Sequence, residues 1–307
     1  MNEMIKNKRY HVCACIVTYN PDLERLAKNF NAVAPQAEAV LVIDNGSKDQ
    51  SFQNSLPGAF WILSKENRGV AWALNQAFQW AQERGFQWVL SLDQDSVCSD
   101  GFVRHALNVA SFNNDQISII YPQIEDKLKR TTRSESIPWL QKQWFRFQES
   151  ILQLPITSGA LTSVSAFFSV KGLTENFFID NVDFELDLKL LKAGYTLIKS
   201  PQSVLDHRLG NPHLVKKTAL WSFISSGYAP WRYYYVYKNT LRLMKYYFIS
   251  PIWMSFYILS KIWGIFSLSI QLGWNSSTLR YARLGISDFM HSKERNHTDV
   301  LNFMQRR

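Results

Sequence analysis

The sequence has 307 residues and a formal net charge of +9, and 46% of its residues are hydrophobic and 14% aromatic. This composition supplies ample material for a core and excludes an intrinsically disordered chain. The basic balance predicts an anionic partner of one of three kinds: a nucleic acid, a membrane surface or a phosphorylated substrate.

The cysteines Cys13, Cys15 and Cys98 are odd in number and have no Cys-x-x-Cys spacing. This pattern argues against a disulfide framework or a structural zinc site, so we expect small buried residues in a reducing compartment. The first eleven residues are polar and basic, and the apolar run that follows is too short for a signal peptide. We therefore expect a cytoplasmic protein.

Apolar runs alternate with segments of helical periodicity in the first part of the chain. We predict strands at residues 12–17, 40–43, 60–63 and 88–92, with helices after Asp22 and after Gly69. Strands that are apolar on both faces and alternate with helices predict an α/β fold with a mostly parallel sheet.

Three of these strands end in polar clusters, at residues 18–20, 44–47 and 93–96. Ligands of open α/β sheets bind at the carboxyl ends of the strands, and such clusters converge when the strands are neighbours. Asp93 and Asp95, one residue apart, can reach one hard divalent cation and the phosphate oxygens that it carries. A Gly-x-Gly-x-x-Gly fingerprint and a P-loop are both absent from the sequence.

The following residues continue the alternation with less regular spacing. We predict a helix at 102–112, a strand at 117–121, an irregular polar insert at 123–150, an apolar run at 161–170 and a last strand at 196–199. A further helix opens within residues 177–185 and ends near Gly194. Its first turn holds Asp183 and Glu185, where acidic residues are favoured.

The composition changes after His207. Tyrosines interleave with Arg232, Lys238 and Arg242, and two uncharged stretches, 246–260 and 262–279, flank Lys261. Three interpretations stay open for this region: an interfacial helix pair with aromatic and basic anchors, a membrane span, and a helical layer packed on the main domain. We divide the chain into a domain at 1–215 and a membrane-associating, aromatic and basic helical region at 216–307.

Taken together, these motifs resemble those of inverting glycosyltransferases of the GT-A fold, family 2, and in particular bacterial rhamnosyltransferases of O-antigen and cell-wall polysaccharide assembly. The resemblance extends over most of the first domain, and residues 230–239 also resemble a segment of those enzymes. The segments that carry it are residues 17–20, 43–47, 66–69, 93–96, 178–185, 194–195 and 207.

The resemblance implies a Rossmann-like GT-A sheet flanked by helices and a role for each matching residue. The implied nucleotide-sugar-binding residues are Thr18, Asn20, Asp44, Asn67, Gly69 and Asp93. The implied ligands of a divalent cation, Mg²⁺ or Mn²⁺, are Asp93, Asp95 and His207, and the implied general base is Asp183.

Several of these residues have structural alternatives. Asp183 can instead cap its helix, and Glu185 competes with it for the role of base. His207 can be a surface histidine, and Asp44 can serve the turn that Asn45 and Gly46 form.

The leading hypothesis is an inverting transferase that moves L-rhamnose from dTDP-L-rhamnose to a lipid-linked saccharide in bacterial surface polysaccharide synthesis, at the cytoplasmic face of the inner membrane. It would be a peripheral or single-span protein held near anionic lipid. The alternatives are a family 2 enzyme with a UDP- or GDP-linked donor and a non-catalytic nucleotide-binding module at the membrane surface. We expect no nucleic-acid partner, because the sequence contains no RNA- or DNA-binding motif.

Overall fold

A computed structural model describes residues 11–111, 116–125, 154–207, 213–217, 222–225, 227–247, 251–273 and 276–304. Eight strands form one sheet in the spatial order β3-β2-β1-β4-β7-β6-β8-β5. These strands are β1 (Val12–Thr18), β2 (Ala39–Asp44), β3 (Phe60–Leu63), β4 (Trp88–Asp93), β5 (Val97–Cys98), β6 (Ile117–Glu125), β7 (Leu161–Ser163) and β8 (Thr196–Asp206). Two further strands, β9 (His213–Lys217) and β10 (Ser222–Ser225), pair antiparallel with each other.

The sheet is mixed, which corrects the prediction of a mostly parallel one. Strands β3, β2, β1 and β4 pair in parallel, and so do β6 and β8. In contrast, β7 is antiparallel to both β4 and β6, and β5 is antiparallel to β8. Strand β7 has only three residues and passes directly into a helix.

The parallel half of the sheet brings the predicted polar clusters together. Thr18 pairs with Asp44 across β1 and β2, and Val17 pairs with Asp93 across β1 and β4. The carboxyl ends of three strands therefore lie side by side, as the pattern predicted.

The helices are α1 (Leu23–Val33), α2 (Val70–Glu83), α3 (Phe102–Ser111), α4 (Val164–Ser169), α5 (Val182–Lys192), α6 (Arg232–Tyr246), α7 (Pro251–Leu272), α8 (Ser277–Met290) and α9 (His297–Leu301). Short 3₁₀ turns lie at Ala34–Gln36, Ser51–Ser55, Glu175–Phe177 and Asn302–Met304. Asp22 caps α1 as predicted, since its carboxylate accepts from the amides of Glu24 and Arg25 at 3.0 and 3.2 Å.

Three predicted elements differ in extent from the observed ones. The apolar run 161–170 divides into β7 and α4, because Ser163 caps the helix and its hydroxyl accepts from the amide of Ala166. The last strand continues to Asp206 instead of ending at 199. Residues 123–125 of the predicted insert belong to β6, and residues 126–150 lie outside the described part of the chain.

The chain divides into two compact units, and the boundary between them passes through helix α5. The sheet unit comprises residues 1–125, 155–175 and 186–207, and the helical unit comprises residues 126–154, 176–185 and 208–307. In the sheet unit, the strands and helices α1 and α3 share one apolar core. Helix α2 packs on α4, where the rings of Phe78 and Phe167 are stacked with centroids 3.7 Å apart.

The helical unit buries the aromatic and basic residues that the sequence offered as membrane anchors. Tyr234, Tyr235, Tyr237, Lys238 and Arg242 are all less than 9% exposed. These five side chains lie in the interior of this unit and are not exposed as membrane anchors, while the membrane association of the region stays a prediction. Within the described ranges, no helix combines the length and hydropathy that a membrane crossing requires.

Candidate active site

Two carboxylates and an imidazole converge at the carboxyl end of β4. The ligand atoms of Asp93, Asp95 and His207 all lie within 4.8 Å of one another. His207 Nε2 is 3.8 Å from Asp93 Oδ2, and His207 Nδ1 is 3.7 Å from Asp95 Oδ1. The imidazole is 4% exposed while both aspartates are half-buried, so the cluster opens on the carboxylate side.

A buried hydroxyl pair fixes the orientation of His207. Ser96 Oγ lies 2.8 Å from His207 Nδ1 and 2.6 Å from Ser158 Oγ, and Ser158 Oγ in turn accepts from the amide of Asp93 at 3.1 Å. A proton on Nδ1 that is donated to Ser96 leaves the Nε2 lone pair directed to the side of Asp93. His207 is therefore a buried and oriented side chain, and the surface alternative for it is wrong.

Helix α1 supports the same cluster through two side chains spaced four residues apart. Arg25 Nε donates to the carbonyl oxygen of Asp95 at 2.7 Å, and Asn29 Nδ2 donates to that of Asp93 at 2.8 Å. Arg25 also forms an ion pair with Asp206, the residue before His207, at 3.3 Å. Neither residue is conspicuous in the sequence, because polar side chains at helical spacing after a cap have the pattern of a solvated helix face.

Asp44 is the centre of a second cluster, at the end of β2. Its carboxylate is fully buried and accepts from Thr18 Oγ1 at 3.0 Å, Ser47 N at 2.9 Å, Ser47 Oγ at 2.5 Å and Gln50 Nε2 at 2.7 Å. These four hydrogen bonds to the Asp44 carboxylate stabilise the turn that follows β2. Its direct contact with a nucleotide stays a prediction.

The turn after β2 contacts the segment that precedes helix α2. Gly46 has a φ of +84°, and a Cβ at this position would overlap the backbone of Glu66 and lie 2.8 Å from the amide nitrogen of Asn67. The amide of Arg68 donates to Asn45 Oδ1 at 2.9 Å, and the amide of Gly69 donates to Asn67 Oδ1 at 3.0 Å. The polar residues predicted for one pocket thus belong to two contacting backbone segments.

Asn20 joins the β1 end to the same turn. Its backbone is left-handed, with a φ of +47°, and its Oδ1 accepts from the amide of Lys48 at 3.0 Å. Ser47 Oγ accepts from the amide of Asn20 at 2.7 Å. Thr18, Asn20, Asp44, Asn67 and Gly69 consequently lie in one hydrogen-bonded group of segments of the sheet unit.

Two acids in the first turn of α5 belong to the helical unit and differ in accessibility. Asp183 is half-buried, and its Oδ1 lies 3.0 Å from the amide of Phe184. Glu185 is fully buried, and its Oε1 accepts from the hydroxyl of Tyr247 at 3.1 Å. Of the two, only Asp183 offers a carboxylate that solvent or a substrate hydroxyl reaches.

Comparison with known proteins identifies the family. The profile of Glycosyl transferase family 2 matches residues 13–173, just over half of the chain. The chain belongs to glycosyltransferase family 2. It is also 26% identical over 249 residues to the dTDP-rhamnosyl transferase RfbF of Shigella flexneri, an alignment that covers 76% of this chain and 80% of that protein.

A solved structure described as "Crystal structure of GalNAc-T7 with UDP, GalNAc and Mn2+" has a similar fold, with a TM-score of 0.56 and 14% sequence identity. The match covers 97% of this chain and 58% of that protein, so the chain spans less than two thirds of it. At this identity the similarity supports the GT-A-like mixed sheet with flanking helices. The protein is accordingly a glycosyltransferase with a GT-A-like fold.

The acidic cluster of the glycosyltransferase has the chemistry of a divalent-cation site. Two carboxylates and one imidazole offer oxygen and nitrogen ligands, and the buried imidazole already has a partner for its second nitrogen. Asp93, Asp95 and His207 thus fit a divalent cation as a set of three ligands. The remaining predicted roles, donor binding and general base, stay predictions.

Proposed function

We propose that this glycosyltransferase moves L-rhamnose from dTDP-L-rhamnose to a lipid-linked saccharide acceptor in bacterial surface polysaccharide synthesis. The observation that carries the proposal is the similarity to the dTDP-rhamnosyl transferase, which is longer than the family match and therefore extends beyond the shared catalytic domain. The spacing of the Asp93–Asp95 pair and the burial of His207 support the same reaction class.

On this proposal Asp93, Asp95 and His207 hold Mg²⁺ or Mn²⁺. A cation held there would offset the negative charge that develops on the leaving dTDP. Thr18, Asn20, Asp44, Asn67 and Gly69 form the walls that receive the base, the ribose and the diphosphate of the donor. Arg25 and Asn29 keep the carbonyls of Asp95 and Asp93 in place, which limits the reorganisation that donor binding requires.

Asp183 is the general base of the proposed reaction. Its carboxylate accepts the proton of the acceptor hydroxyl as that oxygen attacks the anomeric carbon, and the bond to the dTDP oxygen breaks. Attack opposite the leaving group inverts the anomeric configuration. The burial of Glu185 and its bond to Tyr247 support the choice of Asp183.

We place the protein at the cytoplasmic face of the inner membrane as a peripheral protein. Helix α7 carries one stripe of apolar side chains at i, i+3, i+4 and i+7, which are Leu259, Ile262, Trp263 and Phe266, each between 38% and 58% exposed. A stripe of this kind with aromatic members suits the headgroup boundary of a bilayer, where a lipid-linked acceptor is presented.

The membrane placement is tested by flotation of the full chain with anionic vesicles. The double variant Ile262→Ser/Phe266→Ser should lower the bound fraction several-fold. Met290→Ser is the matched control, because Met290 is 70% exposed at the end of another helix of the same unit. Equal flotation of the double variant and the control would refute the placement.

The donor is tested by thermal shift and turnover with dTDP-L-rhamnose, UDP-sugars and GDP-sugars, each with Mn²⁺, Mg²⁺ or EDTA. A ligand at a hundredfold its dissociation constant stabilises by about 2.7 kcal/mol, which corresponds to a shift of a few degrees at this size. We expect a metal-dependent shift that is selective for dTDP compounds.

Two controls separate donor binding from catalysis. Asp93→Ala/Asp95→Ala should abolish both the thermal shift and the turnover. Asp100→Ala should retain both, because Asp100 is an exposed acid five residues after Asp95. Asp183→Asn should retain the shift and lose turnover. A shift with UDP- or GDP-sugars alone would reject rhamnose, and a shift without turnover of any sugar nucleotide in the panel would favour a non-catalytic nucleotide-binding module.

A further inference from the structure

The segment that leads into helix α5 has an unusual backbone. Phe178, Asp180 and Asn181 have φ values of +57°, +64° and +61°, so three non-glycine residues out of four are left-handed. The left-handed conformation is unfavourable for residues with a side chain, although Asn and Asp adopt it more readily than Phe. A strained segment of this kind persists only where its surroundings enforce it, and such segments concentrate at functional sites. Here it ends two residues before Asp183.

One buried amide enforces this conformation. Asn239 of helix α6 is fully buried, and its Nδ2 donates to the carbonyl oxygens of Phe177, Ile179 and Asp180 at 2.7, 3.0 and 2.9 Å. The two N–H groups of this amide thus donate to three carbonyl oxygens of the strained segment. No other side-chain type offers two N–H donors from a single nitrogen at this length without a charge.

The guanidinium of Arg232, on the same helix, fixes the orientation of the Asp180 side chain. Arg232 donates to Asp180 in a bidentate pair, with Nε to Oδ2 at 2.7 Å and Nη2 to Oδ1 at 2.8 Å. Its Cζ also lies 3.9 Å from the centre of the Tyr228 ring. The planar fork and the ring contact leave Asp180 with one orientation.

The two residues that bond to this segment, Arg232 and Asn239, lie on one face of α6. Arg232 and Asn239 are seven residues apart, which is two helical turns, and Thr240 Oγ1 beside them accepts from Asn181 Nδ2 at 3.3 Å. The next turn of the helix adds Arg242 Nη1, which donates to the carbonyl oxygen of Asn176 at 2.7 Å. Helix α6 therefore contacts almost every residue of the segment 176–181.

We propose that Arg232 and Asn239 are positioning residues of the transferase, which set the direction of the first turn of α5 and thereby the carboxylate of Asp183. This inference rests on the proposed role of Asp183 as general base. A base must lie within hydrogen-bond reach of the hydroxyl that it deprotonates, and a displacement of about 1 Å can reduce the rate by about a hundredfold. The tyrosine-rich helix of the C-terminal region thus acts on catalysis without contacting the substrate.

Arg232→Lys tests the proposal, and Arg295→Lys is its matched control. Arg295 forms the same kind of bidentate pair in the same unit, with Asp288 at 2.5 and 3.2 Å, and its side chain is 22% exposed compared with 28% for Arg232. Both substitutions keep the positive charge and remove the planar guanidinium that forms the bidentate pair. We expect Arg232→Lys to lower kcat between tenfold and a hundredfold with unchanged affinity for the nucleotide sugar, and Arg295→Lys to lower it less than twofold.

Hydrogen exchange of the full chain provides a second readout that needs no turnover. The amides of residues 177–185 should exchange faster in Arg232→Lys than in Arg295→Lys, because the fork that orders the segment is lost. Asn239→Asp, which removes the two donors at constant size, should have the same effect on exchange and on kcat. If Asn239→Asp does not fold, Arg232→Lys alone decides.

Failure of this proposal is distinguishable from failure of the proposed function. Equal exchange and equal kcat for Arg232→Lys and Arg295→Lys would overturn the positioning role. Turnover that survives Asp183→Asn would instead reject the base assignment. Should no sugar nucleotide of the panel give turnover, an exchange rate in 177–185 that is equal in the two arginine variants would overturn the proposal, and a faster one in Arg232→Lys would support it.

Discussion

Arg25 Nε donates to the backbone carbonyl of Asp95 at 2.7 Å, and Nη2 of the same guanidinium donates to the carbonyl of Asp206 at 3.2 Å. One planar side chain therefore joins the loop that carries Asp95 to the strand end that precedes His207. The candidate metal ligands come from two distant parts of the chain, residues 93–95 and His207, and Arg25 contacts the backbone of both parts.

The first prediction concerns this support. Arg25→Lys keeps the charge but cannot span both carbonyls, so the dissociation constant for Mn²⁺ and nucleotide sugar should rise between tenfold and a hundredfold. Isothermal titration of the full chain measures this change.

Lys28→Ala is the control for Arg25→Lys, because Lys28 lies on the same helix, is exposed and pairs only with Glu24 among the contacts described for it. Its affinity should stay within twofold of the original. An Arg25→Lys protein that binds as tightly as this control would show that the guanidinium bridge has no part in the site.

The second prediction compares two glycines with nearly the same backbone. Gly46 and Gly58 have φ values of +84° and +85°, but a Cβ on Gly58 has nothing within 4 Å whereas one on Gly46 overlaps the Glu66 backbone. Gly58→Ala should therefore cost only the left-handed conformation, about 1–2 kcal/mol. Gly46→Ala should cost about 1–3 kcal/mol more, because backbone atoms must move.

Urea unfolding of the two alanine variants measures both costs. Gly46→Ala should also weaken nucleotide-sugar binding, since it displaces Asn67 and its neighbours, while Gly58→Ala should bind normally. Equal destabilisation by the two substitutions would contradict the tight packing of the turn against residues 66–67.

Much of the parallel half of the sheet was predictable from the sequence. The runs at 12–17, 40–43 and 88–92 are apolar at every position except Ser91, which is typical of strands buried on both faces, and each run ends one residue before its polar cluster. The convergence of Asp93 and Asp95 with the other strand ends follows from the parallel register alone.

The antiparallel half was not predictable by the same reasoning. The run 161–170 is apolar whether it forms a strand or a buried helix, and periodicity cannot distinguish the two. Strand β8 passes through Ser200, Pro201 and Gln202, which have low strand propensity, and its pairing with β6 shifts register there, from Ser200 opposite Pro122 to Val204 opposite Gln123.

The aromatic and basic segment of α6 shows a different limit of sequence patterns. Charges among tyrosines are typical of membrane-surface anchors, but here the partners are distant in sequence. Lys238 Nζ donates to Glu294 Oε2 at 3.1 Å, and Arg242 donates to the other oxygen of Glu294. Glu294 thus pairs with both buried cations, and Asp288 pairs with Arg295, which only the tertiary structure shows.

The third prediction concerns the thiols. Cys13, Cys15 and Cys98 are all buried and free of disulfides. Burial raises the pKa of Cys13 to about 12 and that of Cys98 to about 12, and it raises the pKa of Cys15 well above its ordinary value. Because only the thiolate reacts, the native protein should react with Ellman's reagent very slowly at pH 8.

In denaturant, the same reagent should titrate all three thiols. A native protein with one thiol that reacts at the rate of a free cysteine would contradict the burial of the strand in which that residue lies. Fewer than three thiols in the unfolded and unreduced protein would indicate a disulfide.

The last prediction concerns the pH dependence of stability. Burial against aromatic rings lowers the pKa of His297 from its ordinary 6.5 to about 4. Its ring is stacked on Phe178 with centroids 4.2 Å apart, and its Nδ1 lies 3.2 Å from the hydroxyl of Tyr235. Between pH 6.5 and about 4, the unfolded chain binds a proton at this histidine that the folded chain does not. The free energy of unfolding should therefore fall as the pH is lowered through this range.

Thermal melts of His297→Gln at pH 7 and pH 5 should show a smaller pH dependence than the original protein, whereas His291→Gln, an exposed histidine of the same unit, should keep the full dependence. A His297→Gln protein that loses as much stability on acidification as the original would assign the pH dependence to other groups.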